Sequence, residues 1–444
     1  MAQRTFFIET YGCQMNVNDS EVVASLLVGA GFSLCGTPEE ADVLLINTCA
    51  IRDNAEVRIL GRLAHFRHMR RTLRPGLLIG VLGCMAARLR SQLLEPATGV
   101  DIVVSPDCYR ELPRLIDEAA SGLKAIATAY SRFETYADVD PLRYASNGIS
   151  AFVSIMRGCN KACTYCVVPF TRGKERSRDV ASVLAEVEEL QRAGYRELTL
   201  LGQTVDSYRW QSPTGATTSF AELLEMVAKA VPAMRVRFAT SHPQDMTDEV
   251  LYTMAMYENI CPHIHLPVQS GSDVVLERMH RRYTRAHYLR QIERIRRILP
   301  NAAITTDIIV GFCAETEDDF KLTYSLMEEV QFDFAYMFKY SERPGTYAAR
   351  RLQDDVPDEL KTERLEAIIE LQGHHSLISN QRDVGHEFEV LVEGESRKSS
   401  QDLCGRTEQN KMVVFPQANT YAGRYATVRI EGCTSSTLLG HVVP

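Results

Sequence analysis

The sequence predicts an α/β protein of three domains. Over residues 1–145, short apolar runs alternate with helical patterns, which favours a parallel sheet flanked by helices. A loop-like stretch, YADVDPLRYASNG, precedes a second strand–helix series over residues 146–375, and residues 376–444 show short strands separated by turns. A length of 444 residues agrees with this division, since domains of about 100–200 residues are usual.

The first domain has four strand candidates built around short apolar runs. They are RTFFIETYGC, ADVLLINTC, GLLIGVLGC and DIVVSP. Helical patterns such as DSEVVASLLVGAGF and AEVRILGRLAHFRHMRR stand between them. Strands connected by helices pair in parallel, and strands covered on both faces are apolar rather than alternating. We therefore expect a parallel, helix-flanked sheet.

The second domain has six strand candidates with helical segments between them. The strands are AFVSIM, ELTLLG, RVRFAT, HIHLP, AITTDIIVGF and FDFAYMFKYS. Six strand–helix units predict an open, partial (β/α)6 version of the β/α barrel. Reactive residues of such barrels lie at the C-terminal ends of the strands.

The third domain contains the runs HEFEVLVEG, NKMVVFP and YATVRIEG, separated by Gly, Asn and Ser. Short strands joined by such turns predict a small antiparallel β-barrel of about five strands.

Composition narrows the class of protein. The sequence has no uncharged apolar run long enough for a membrane span, and MAQRTFFIETYGC lacks the features of a signal peptide, so we expect a cytoplasmic protein without membrane contact. The net charge of -8 argues against overall attraction to nucleic acid, although local basic patches remain compatible with it. Twelve cysteines in a reducing compartment favour metal ligation or catalysis over disulfides.

The segment RGCNKACTYC places Cys159, Cys163 and Cys166 in a C-x3-C-x2-C run after the first barrel strand. A structural zinc site takes four ligands, and no further Cys or His stands in the next dozen residues. Thiolates suit iron–sulfur clusters, and a four-iron cluster on three cysteines leaves one iron for a non-protein ligand. An incomplete zinc site or accidental spacing is the alternative.

A second group of cysteines is dispersed over the first domain. Cys13, Cys49 and Cys84 each follow a predicted strand, in ETYGC, INTC and VLGC. Parallel strands end at one edge of a sheet, where ligand sites form, so the three thiols can converge. Their neighbours Gln14, Asn16, Asn18 and Asn47 suit a site better than a core, although core cysteines are the alternative. The remaining cysteines are expected to be small buried hydrophobes: Cys35, Cys108, Cys261, Cys313, Cys404 and Cys433.

These residues resemble the motifs of a known family. With Tyr165 before Cys166, the triplet is similar to the radical S-adenosylmethionine (SAM) signature, and the whole chain is similar to the methylthiotransferases. The supporting motifs are TYGCQMNVNDSE, NTCAIRDNAE, GCMAAR, CTYCVVPFTRGKERSR, LLGQTVDSY, HIHLPVQSGSD, RRYTR and TDIIVGF. VVPFTRGKERSR and GRTEQNKMVVFP are most like the branch that modifies isopentenylated adenosine in tRNA. The other branches modify threonylcarbamoyladenosine in tRNA or an aspartate of a ribosomal protein.

The resemblance implies an N-terminal cluster-binding domain, a radical SAM domain and a TRAM domain, with two [4Fe–4S] clusters and SAM as cofactors. It implies that Cys159, Cys163 and Cys166 hold the cluster that binds SAM. It also implies a sulfur-carrying cluster on Cys13, Cys49 and Cys84. One SAM would methylate the carried sulfur and a second would yield a radical, placing CH3S on C2 of the adenine. That carbon has no acidic hydrogen or good leaving group, which explains the need for radical chemistry.

The resemblance further suggests residues for the SAM pocket and for RNA binding. The SAM-pocket candidates at the barrel mouth are Tyr165, Gly202, Gln203, Asp307 and Gly311, for which ordinary turns and a structural cap are the alternatives. Basic residues of TRGKERSR, RMHRRYTR and the C-terminal barrel are candidate phosphate contacts. They are Arg172, Lys174, Arg176, Arg178, Arg278, Arg281, Arg282, Arg285, Arg406 and Lys411. A solvated face is the alternative for RMHRRYTR.

Expected partners are the tRNA anticodon stem-loop and a small electron-donor protein such as a flavodoxin or ferredoxin, and we expect a monomer. Thr204 and Asp206 stand where the family pattern has asparagines, and Cys313 and Ala314 where it often has Pro-Gly. Neither departure removes a cluster ligand. A nucleic-acid-binding metal protein without enzymatic activity is the alternative class.

Overall fold

The structure is a computed structural model that describes residues 3–49, 53–417 and 419–443. The strands are β1 (Thr5–Tyr11), β2 (Ser33–Leu34), β3 (Val43–Thr48), β4 (Leu78–Gly83), β5 (Ile102–Val104), β6 (Ala125–Ala127), β7 (Ser150–Ser154), β8 (Met156–Arg157), β9 (Arg176–Ser177), β10 (Glu197–Leu201), β11 (Arg209–Gln211), β12 (Thr217–Ser219), β13 (Arg235–Ala239), β14 (His263–His265), β15 (Ala303–Val310), β16 (Phe334–Lys339), β17 (Glu387–Ser396), β18 (Ser399–Arg406), β19 (Met412–Pro416), β20 (Tyr425–Cys433) and β21 (Leu438–Val442). The helices are α1 (Gln14–Gly29), α2 (Asp53–Thr72), α3 (Cys84–Leu89), α4 (Leu112–Ala120), α5 (Val168–Arg172), α6 (Val180–Arg192), α7 (Phe220–Ala230), α8 (Asp248–Met256), α9 (Asp273–Arg278), α10 (Arg285–Ile298), α11 (Glu317–Val330), α12 (Tyr347–Arg351) and α13 (Asp358–Gln381).

The chain divides into two compact units. The first comprises the chain up to Ala145 together with residues 154–162 and 166–182, and the second comprises residues 146–153, 163–165 and 183–444. Within the described part of the chain, no helix is long and apolar enough to cross a membrane.

The first unit is built on a six-stranded parallel sheet in the order β2-β1-β3-β4-β5-β6. Its central strand β3 is buried on both faces, because Val43 and Leu45 enter one hydrophobic core while Leu44 and Ile46 enter the other. Strands that are covered on both faces carry near-continuous apolar runs, such as Val43 to Ile46 here. The predicted helix-flanked parallel sheet is confirmed.

Three neighbouring strands of this sheet end side by side. Tyr11 of β1 pairs with Thr48 of β3, and Thr48 pairs with Gly83 of β4. Gly83 adopts a φ of 84°, and a Cβ atom there would lie 2.3 Å from Asn47 Oδ1 and 2.8 Å from Thr48 O. The chain can therefore turn sharply into α3 at this edge only because the residue has no side chain.

Gly83→Ala should consequently destabilise the protein more than an ordinary left-handed glycine substitution. Gly122 is the matched control, since it has a φ of 89° but nothing within 4 Å of the added Cβ. We expect losses in the free energy of unfolding of about 2–5 kcal/mol for Gly83→Ala and about 1–2 kcal/mol for Gly122→Ala. Urea unfolding followed by circular dichroism measures both. Equal losses would show that the close approach to β3 is unimportant.

The second unit contains the six strands of the predicted barrel. They form the sheets β13-β10-β7 and β14-β15-β16, and a parallel bridge links Val236 of β13 to Ile260, just before β14. The partial (β/α)6 barrel is confirmed. The chain then runs through α13 into the C-terminal strands.

The C-terminal strands form a closed barrel in the order β17-β18-β19-β21-β20, filled by apolar side chains such as Val390, Val413 and Val428. β19 and β21 are parallel, while the other pairs are antiparallel. Two buried arginines of β13 attach this barrel to the larger one: Arg235 Nη1 donates to Arg406 O at 2.9 Å, and Arg237 Nη2 donates to Thr407 O at 2.8 Å.

Candidate functional site

Cys13, Cys49 and Cys84 lie at the carboxyl edge of the first unit's sheet. Cys13 caps α1, Cys49 directly follows β3, and Cys84 opens α3. A Cβ atom on Gly12 would stand only 2.7 Å from Cys49 Cβ, so the β1 and β3 ends are in close contact. The aligned strand ends thus bring the three cysteines to one place, as the sequence pattern predicts.

A buried amide network supports these strand ends. Asn16 Nδ2 donates to Asn47 Oδ1 at 3.2 Å, and Asn47 Nδ2 donates to Asn16 O and Ser20 Oγ, both at 2.9 Å. The Cys13 thiol donates to Asn16 Oδ1 at 3.2 Å. Because Asn16 and Asn47 are fully buried, their hydrogen bonds fix the geometry beneath the cysteines.

The thiols differ in acidity. A hydrogen bond with Cys49 lowers the pKa of Cys13 to about 6, against the effect of burial and with help from the positive charge of Arg172. Burial raises the pKa of Cys84, and Arg172 opposes that shift. The thiolate is the form that binds metal, so a nearby guanidinium favours ligation at this edge.

Arg172 belongs to a buried ionic group centred on Asp19. Arg157 Nη1 and Arg172 Nη2 each donate to the Asp19 carboxylate at 2.9 Å, and the Tyr109 hydroxyl donates to it at 3.3 Å. Burial raises the pKa of Asp19, but the two guanidiniums overcome this and hold it below its ordinary value. The carboxylate is therefore ionised between two cations.

The donor set at this edge fits an iron–sulfur cluster. Three thiols meet there, and soft thiolates are the usual ligands of such clusters. Arg172 Nη1 is buried beside them without a hydrogen-bond acceptor among the described residues, and cluster or thiolate sulfur would supply one. No three His, Cys, Asp or Glu side chains of the described residues stand close enough to hold a single metal ion. A four-iron cluster is larger than an ion, so its ligands are spaced more widely.

The C-x3-C-x2-C segment forms the loop between β8 and α5. The loop begins where Gly158 passes so near the opposite chain that a Cβ atom would lie 2.1 Å from Lys174 O. Backbone amides point to two of its sulfur atoms, Lys161 N to Cys159 Sγ and Val168 N to Cys166 Sγ, both at 3.4 Å. Amide donors of this kind stabilise thiolate sulfur and tune a cluster bound to it.

In the second unit, Arg281 lies beside Cys163, the second cysteine of the loop. Its Nη1 donates to Cys163 Sγ at 3.6 Å, while Nε donates to the Tyr283 hydroxyl and Nη2 to Pro267 O. This arginine was predicted to contact RNA phosphate, but it is buried, and the prediction is wrong because its donors are directed into the barrel.

The predicted SAM-pocket residues occupy different positions in the second unit. Tyr165 packs edge-on against Phe312, with ring centroids 6.2 Å apart. Gly202 and Gln203 directly follow β10, and Gln203 Oε1 is buried without a hydrogen-bond partner in the described parts of the chain. Gly311 follows β15, and its amide donates to Glu315 Oε1 at 2.7 Å. Gly202, Gln203 and Gly311 lie at strand ends, where the barrel architecture places reactive groups, whereas Tyr165 lies in the cysteine loop.

Asp307 lies within β15 rather than at its end, and it belongs to a polar group that the sequence analysis missed. His265 Nε2 is 3.4 Å from Asp307 Oδ1, and His265 Nδ1 is 3.0 Å from Thr305 Oγ1. Tyr336 packs edge-on against the His265 ring. The available signal was the alternation of H-x-H in β14 and T-x-D in β15, which puts these side chains on one face.

Three more arginines predicted to bind RNA are buried in the first unit. Arg172 pairs with Asp19, Arg176 makes two 2.9 Å hydrogen bonds to Asp107, and Arg178 donates to Ser182 Oγ at 2.9 Å. Their exposed fractions are 2%, 8% and 5%, respectively. The prediction of phosphate contacts is wrong for these residues, because their guanidiniums are turned inward to partners within the unit.

The other predicted RNA contacts remain nearer the surface. Lys174 and Arg282 are exposed. Arg406 and Lys411 are partly buried, with ion pairs from Arg406 Nε to Glu393 at 3.2 Å and from Lys411 Nζ to Asp383 at 2.6 Å. Arg278 Nη1 donates to Ala314 O at 2.7 Å, and Arg285 pairs with Glu329 at 2.9 Å.

Two residues that depart from the family pattern, Thr204 and Asp206, make hydrogen bonds within the second unit, and the cysteines outside the two groups differ in burial. Asp206 Oδ2 accepts the His242 amide at 2.7 Å, and Thr204 Oγ1 lies 2.9 Å from Ser207 Oγ, so both residues order the loop after β10. Of the cysteines expected to be buried, Cys108, Cys261 and Cys313 are buried, whereas Cys35, Cys404 and Cys433 are only partly so.

Comparison with known protein families gives three matches along the chain. The family described as "Uncharacterized protein family UPF0004" matches residues 5–105, the Radical SAM superfamily matches residues 153–327, and the TRAM domain matches residues 381–443. Together they cover the parallel sheet, most of the partial barrel and the C-terminal barrel.

Curated relatives are similar over nearly the whole chain. The tRNA-2-methylthio-N(6)-dimethylallyladenosine synthase of Amoebophilus asiaticus is 54% identical over 450 residues, covering 99% of this chain and 92% of the relative. The proteins of the same name from Bacteroides thetaiotaomicron and Porphyromonas gingivalis strain W83 are 54% and 53% identical. Each alignment covers 99% of this chain, and 96% and 95% of the relative, respectively.

Solved structures share the fold at low sequence identity. The radical S-adenosylmethionine methyltransferase TsrM from Kitasatospora setae has a TM-score of 0.57 at 14% identity, covering 76% of this chain and 73% of its own. The cobalamin-dependent S-adenosylmethionine radical enzyme OxsB has a TM-score of 0.54 at 14% identity, covering 82% of this chain and 56% of its own.

The partial barrel with its three-cysteine loop, together with these matches, makes the chain a radical SAM enzyme. Enzymes of this class use SAM and [4Fe–4S] clusters. Within the class, the chain belongs to the family of the tRNA-2-methylthio-N(6)-dimethylallyladenosine synthases.

Proposed function

We propose that the protein attaches a methylthio group to C2 of N6-dimethylallyladenosine next to the anticodon of tRNA. The observation that carries this proposal is an identity of 54% over 99% of the chain to relatives named for that reaction. Both cysteine groups, at the sheet edge and in the barrel loop, are present in this chain. A protein that only binds nucleic acid has no need of two such groups.

Cys159, Cys163 and Cys166 are proposed to hold the cluster that binds SAM. When bound there, a [4Fe–4S] cluster and SAM supply a 5'-deoxyadenosyl radical, which is able to attack an unactivated C–H bond. The protein's own task is to hold the loop: the amides of Lys161 and Val168 and the guanidinium of Arg281 provide donors to its sulfur atoms. Tyr165, Gly202, Gln203, Asp307 and Gly311 are proposed to line the SAM pocket.

Cys13, Cys49 and Cys84 are proposed to hold a second cluster, from which the inserted sulfur is drawn. SAM would supply the methyl group for that sulfur and, in a second molecule, the radical that takes hydrogen from the substrate, while Cys13, Cys49 and Cys84 would hold the sulfur-bearing cluster in place. The low pKa of Cys13, about 6 through its hydrogen bond with Cys49, favours the thiolate needed for ligation at neutral pH.

The domain assignment and the partners belong to the same proposal. Residues 1–145 form the methylthiotransferase domain, 146–375 the radical SAM domain and 376–444 the TRAM domain. Exposed Lys174 and Arg282, with Arg406 and Lys411 of the TRAM region, contact tRNA phosphates. A flavodoxin or ferredoxin supplies electrons, and the protein acts as a monomer in the cytoplasm.

The substrate assignment is tested by expressing the chain in bacteria whose own enzyme for this reaction has been deleted. Mass spectrometry of tRNA nucleosides should show the 2-methylthio group restored on N6-dimethylallyladenosine. The matched control is the same chain with Cys159→Ala. A methylthio group on threonylcarbamoyladenosine, or on a ribosomal protein aspartate with tRNA unchanged, would instead assign the chain to another branch.

A further inference from the structure

A buried, charged group of side chains lies beside Cys13 and Cys84 in the first unit. The Asp19 carboxylate accepts hydrogen bonds from Arg157 and Arg172, each at 2.9 Å, and from the uncharged Tyr109 hydroxyl at 3.3 Å. One carboxylate stands between two guanidiniums, so the group carries one net positive charge. All four side chains are buried.

The two guanidiniums differ in whether their N–H donors have hydrogen-bond acceptors. Arg157 directs Nη2 to Pro106 O at 3.2 Å and lies over the Tyr136 ring at 4.9 Å. Arg172 Nη1, in contrast, is buried and has no acceptor in the parts of the chain that the structure describes. A buried donor without an acceptor costs about 1–3 kcal/mol, and an unbalanced buried charge adds to that cost. A native fold retains such a group when a ligand completes it.

The position of Arg172 indicates which ligand this is. It ends α5, whose Thr171 hydroxyl hydrogen-bonds to the Cys84 thiol, and Val167 just before α5 packs against Cys84. The segment that ends in Arg172 therefore packs against one of the three cysteines, and its unsatisfied guanidinium lies at the same edge of the sheet.

We infer that Arg172 is a cluster-binding residue, whose Nη1 donates to a sulfur of the cluster on Cys13, Cys49 and Cys84 and whose charge balances that cluster. The negative charge of three thiolates exceeds the positive charge of an oxidised four-iron core, so the cluster as a whole is anionic. Its negative charge matches the net positive charge of the buried group. Asp19 and Arg157 are positioning residues that fix the guanidinium plane. This inference rests on the proposed assignment of the three cysteines as cluster ligands.

A hydrogen bond to sulfur and a nearby positive charge have a measurable consequence. Both favour the reduced cluster, which carries one more negative charge, and both therefore raise its reduction potential. Removing Arg172 should lower that potential. A purely structural arginine, buried but already paired, should leave it unchanged.

The experiment uses the full chain with Cys159, Cys163 and Cys166 replaced by Ala, loaded anaerobically with iron and sulfide, so that only the sheet-edge cluster contributes to the electron paramagnetic resonance signal. Arg172→Met and Arg172→Lys are compared with Arg176→Met in redox titrations. Arg176 is the matched control, because it is buried in the same segment and its guanidinium is ion-paired with Asp107, with further hydrogen bonds to Ser131 O and Arg172 O. At a fixed potential, Arg172→Met should lower the ratio of reduced to oxidised cluster at least tenfold, or about 59 mV. Arg172→Lys should fall between Arg172→Met and the parent.

Each outcome decides the question. An unchanged titration in Arg172→Met, or a shift no larger than that of Arg176→Met, overturns the inference while the cysteine assignment stands. Loss of iron from Arg172→Met alone supports the inference, whereas equal loss from both methionine variants makes Arg172 merely structural and overturns it. A parent chain that binds no iron refutes the cysteine assignment itself, and the inference with it.

Discussion

Replacing Cys159, Cys163 or Cys166 by Ala should abolish the formation of 5'-deoxyadenosine from SAM. Each substitution removes one of three thiolates, and a cluster that loses a ligand cannot keep one iron reserved for SAM. We expect activity to fall by at least three orders of magnitude, since the uncatalysed cleavage has no alternative path in the protein. Anaerobic incubation with SAM and dithionite, followed by chromatography of the nucleoside, measures the effect.

Cys261→Ala is the matched control for these substitutions. Cys261 is a buried cysteine of the second unit, and burial raises its pKa to about 11, so it is a poor metal ligand. This variant should cleave SAM at the parental rate. If any of the three loop variants produced 5'-deoxyadenosine as fast as the parent, the loop would not hold the SAM-binding cluster.

The positions of the sheet-edge cysteines could be predicted because they depend on local patterns. Apolar runs identify the strands, and a cysteine immediately after each run must lie at the carboxyl edge of a parallel sheet. The structure aligns Tyr11, Thr48 and Gly83 in neighbouring strands, so the residues that follow them meet. This conclusion needs only strand direction and order.

The roles of the arginines could not be predicted in the same way. The segment TRGKERSR is typical of an exposed basic patch, yet Arg172 and Arg176 pair with Asp19 and Asp107, which are far away in the sequence. Ion pairs between distant residues depend on tertiary contacts, and charge counting along the chain does not reveal them. One feature of the sequence did indicate a buried arginine. Asp19 lies near apolar residues of α1, and a buried carboxylate needs a cation as its partner.

The polar group around His265 shows a second limit of prediction from sequence. His263 and His265 lack the spacing of metal ligands, so their sequence pattern alone indicates no site. The structure pairs β14 with β15 and thereby brings His265 beside Thr305 and Asp307. The sequence shows each of these residues, but their contact depends on the register between the two strands. The apolar pattern alone does not specify that register.

Replacing Cys13, Cys49 and Cys84 together by Ala should separate radical formation from sulfur insertion. With both cysteine groups intact, two four-iron clusters give roughly eight iron atoms per chain, and the triple variant should retain about four. Reductive cleavage of SAM should continue, because the barrel loop keeps its own thiols and their amide donors. The 2-methylthio product should disappear, since no sulfur remains to be methylated or inserted. Iron analysis, 5'-deoxyadenosine assays and tRNA nucleoside analysis measure these three effects.

The control for the triple variant is Cys108→Ala, which removes a buried cysteine of the same unit whose thiol hydrogen-bonds to Ala129 O. It should keep its full iron content and its product. The two groups then act differently: the loop supports cleavage of SAM, and the sheet edge supplies sulfur. A triple variant that still methylthiolates tRNA, or that keeps all its iron, would make the three cysteines ordinary core residues. In that case Arg172 would also lose its proposed ligand, and the buried positive charge at the sheet edge would need another explanation.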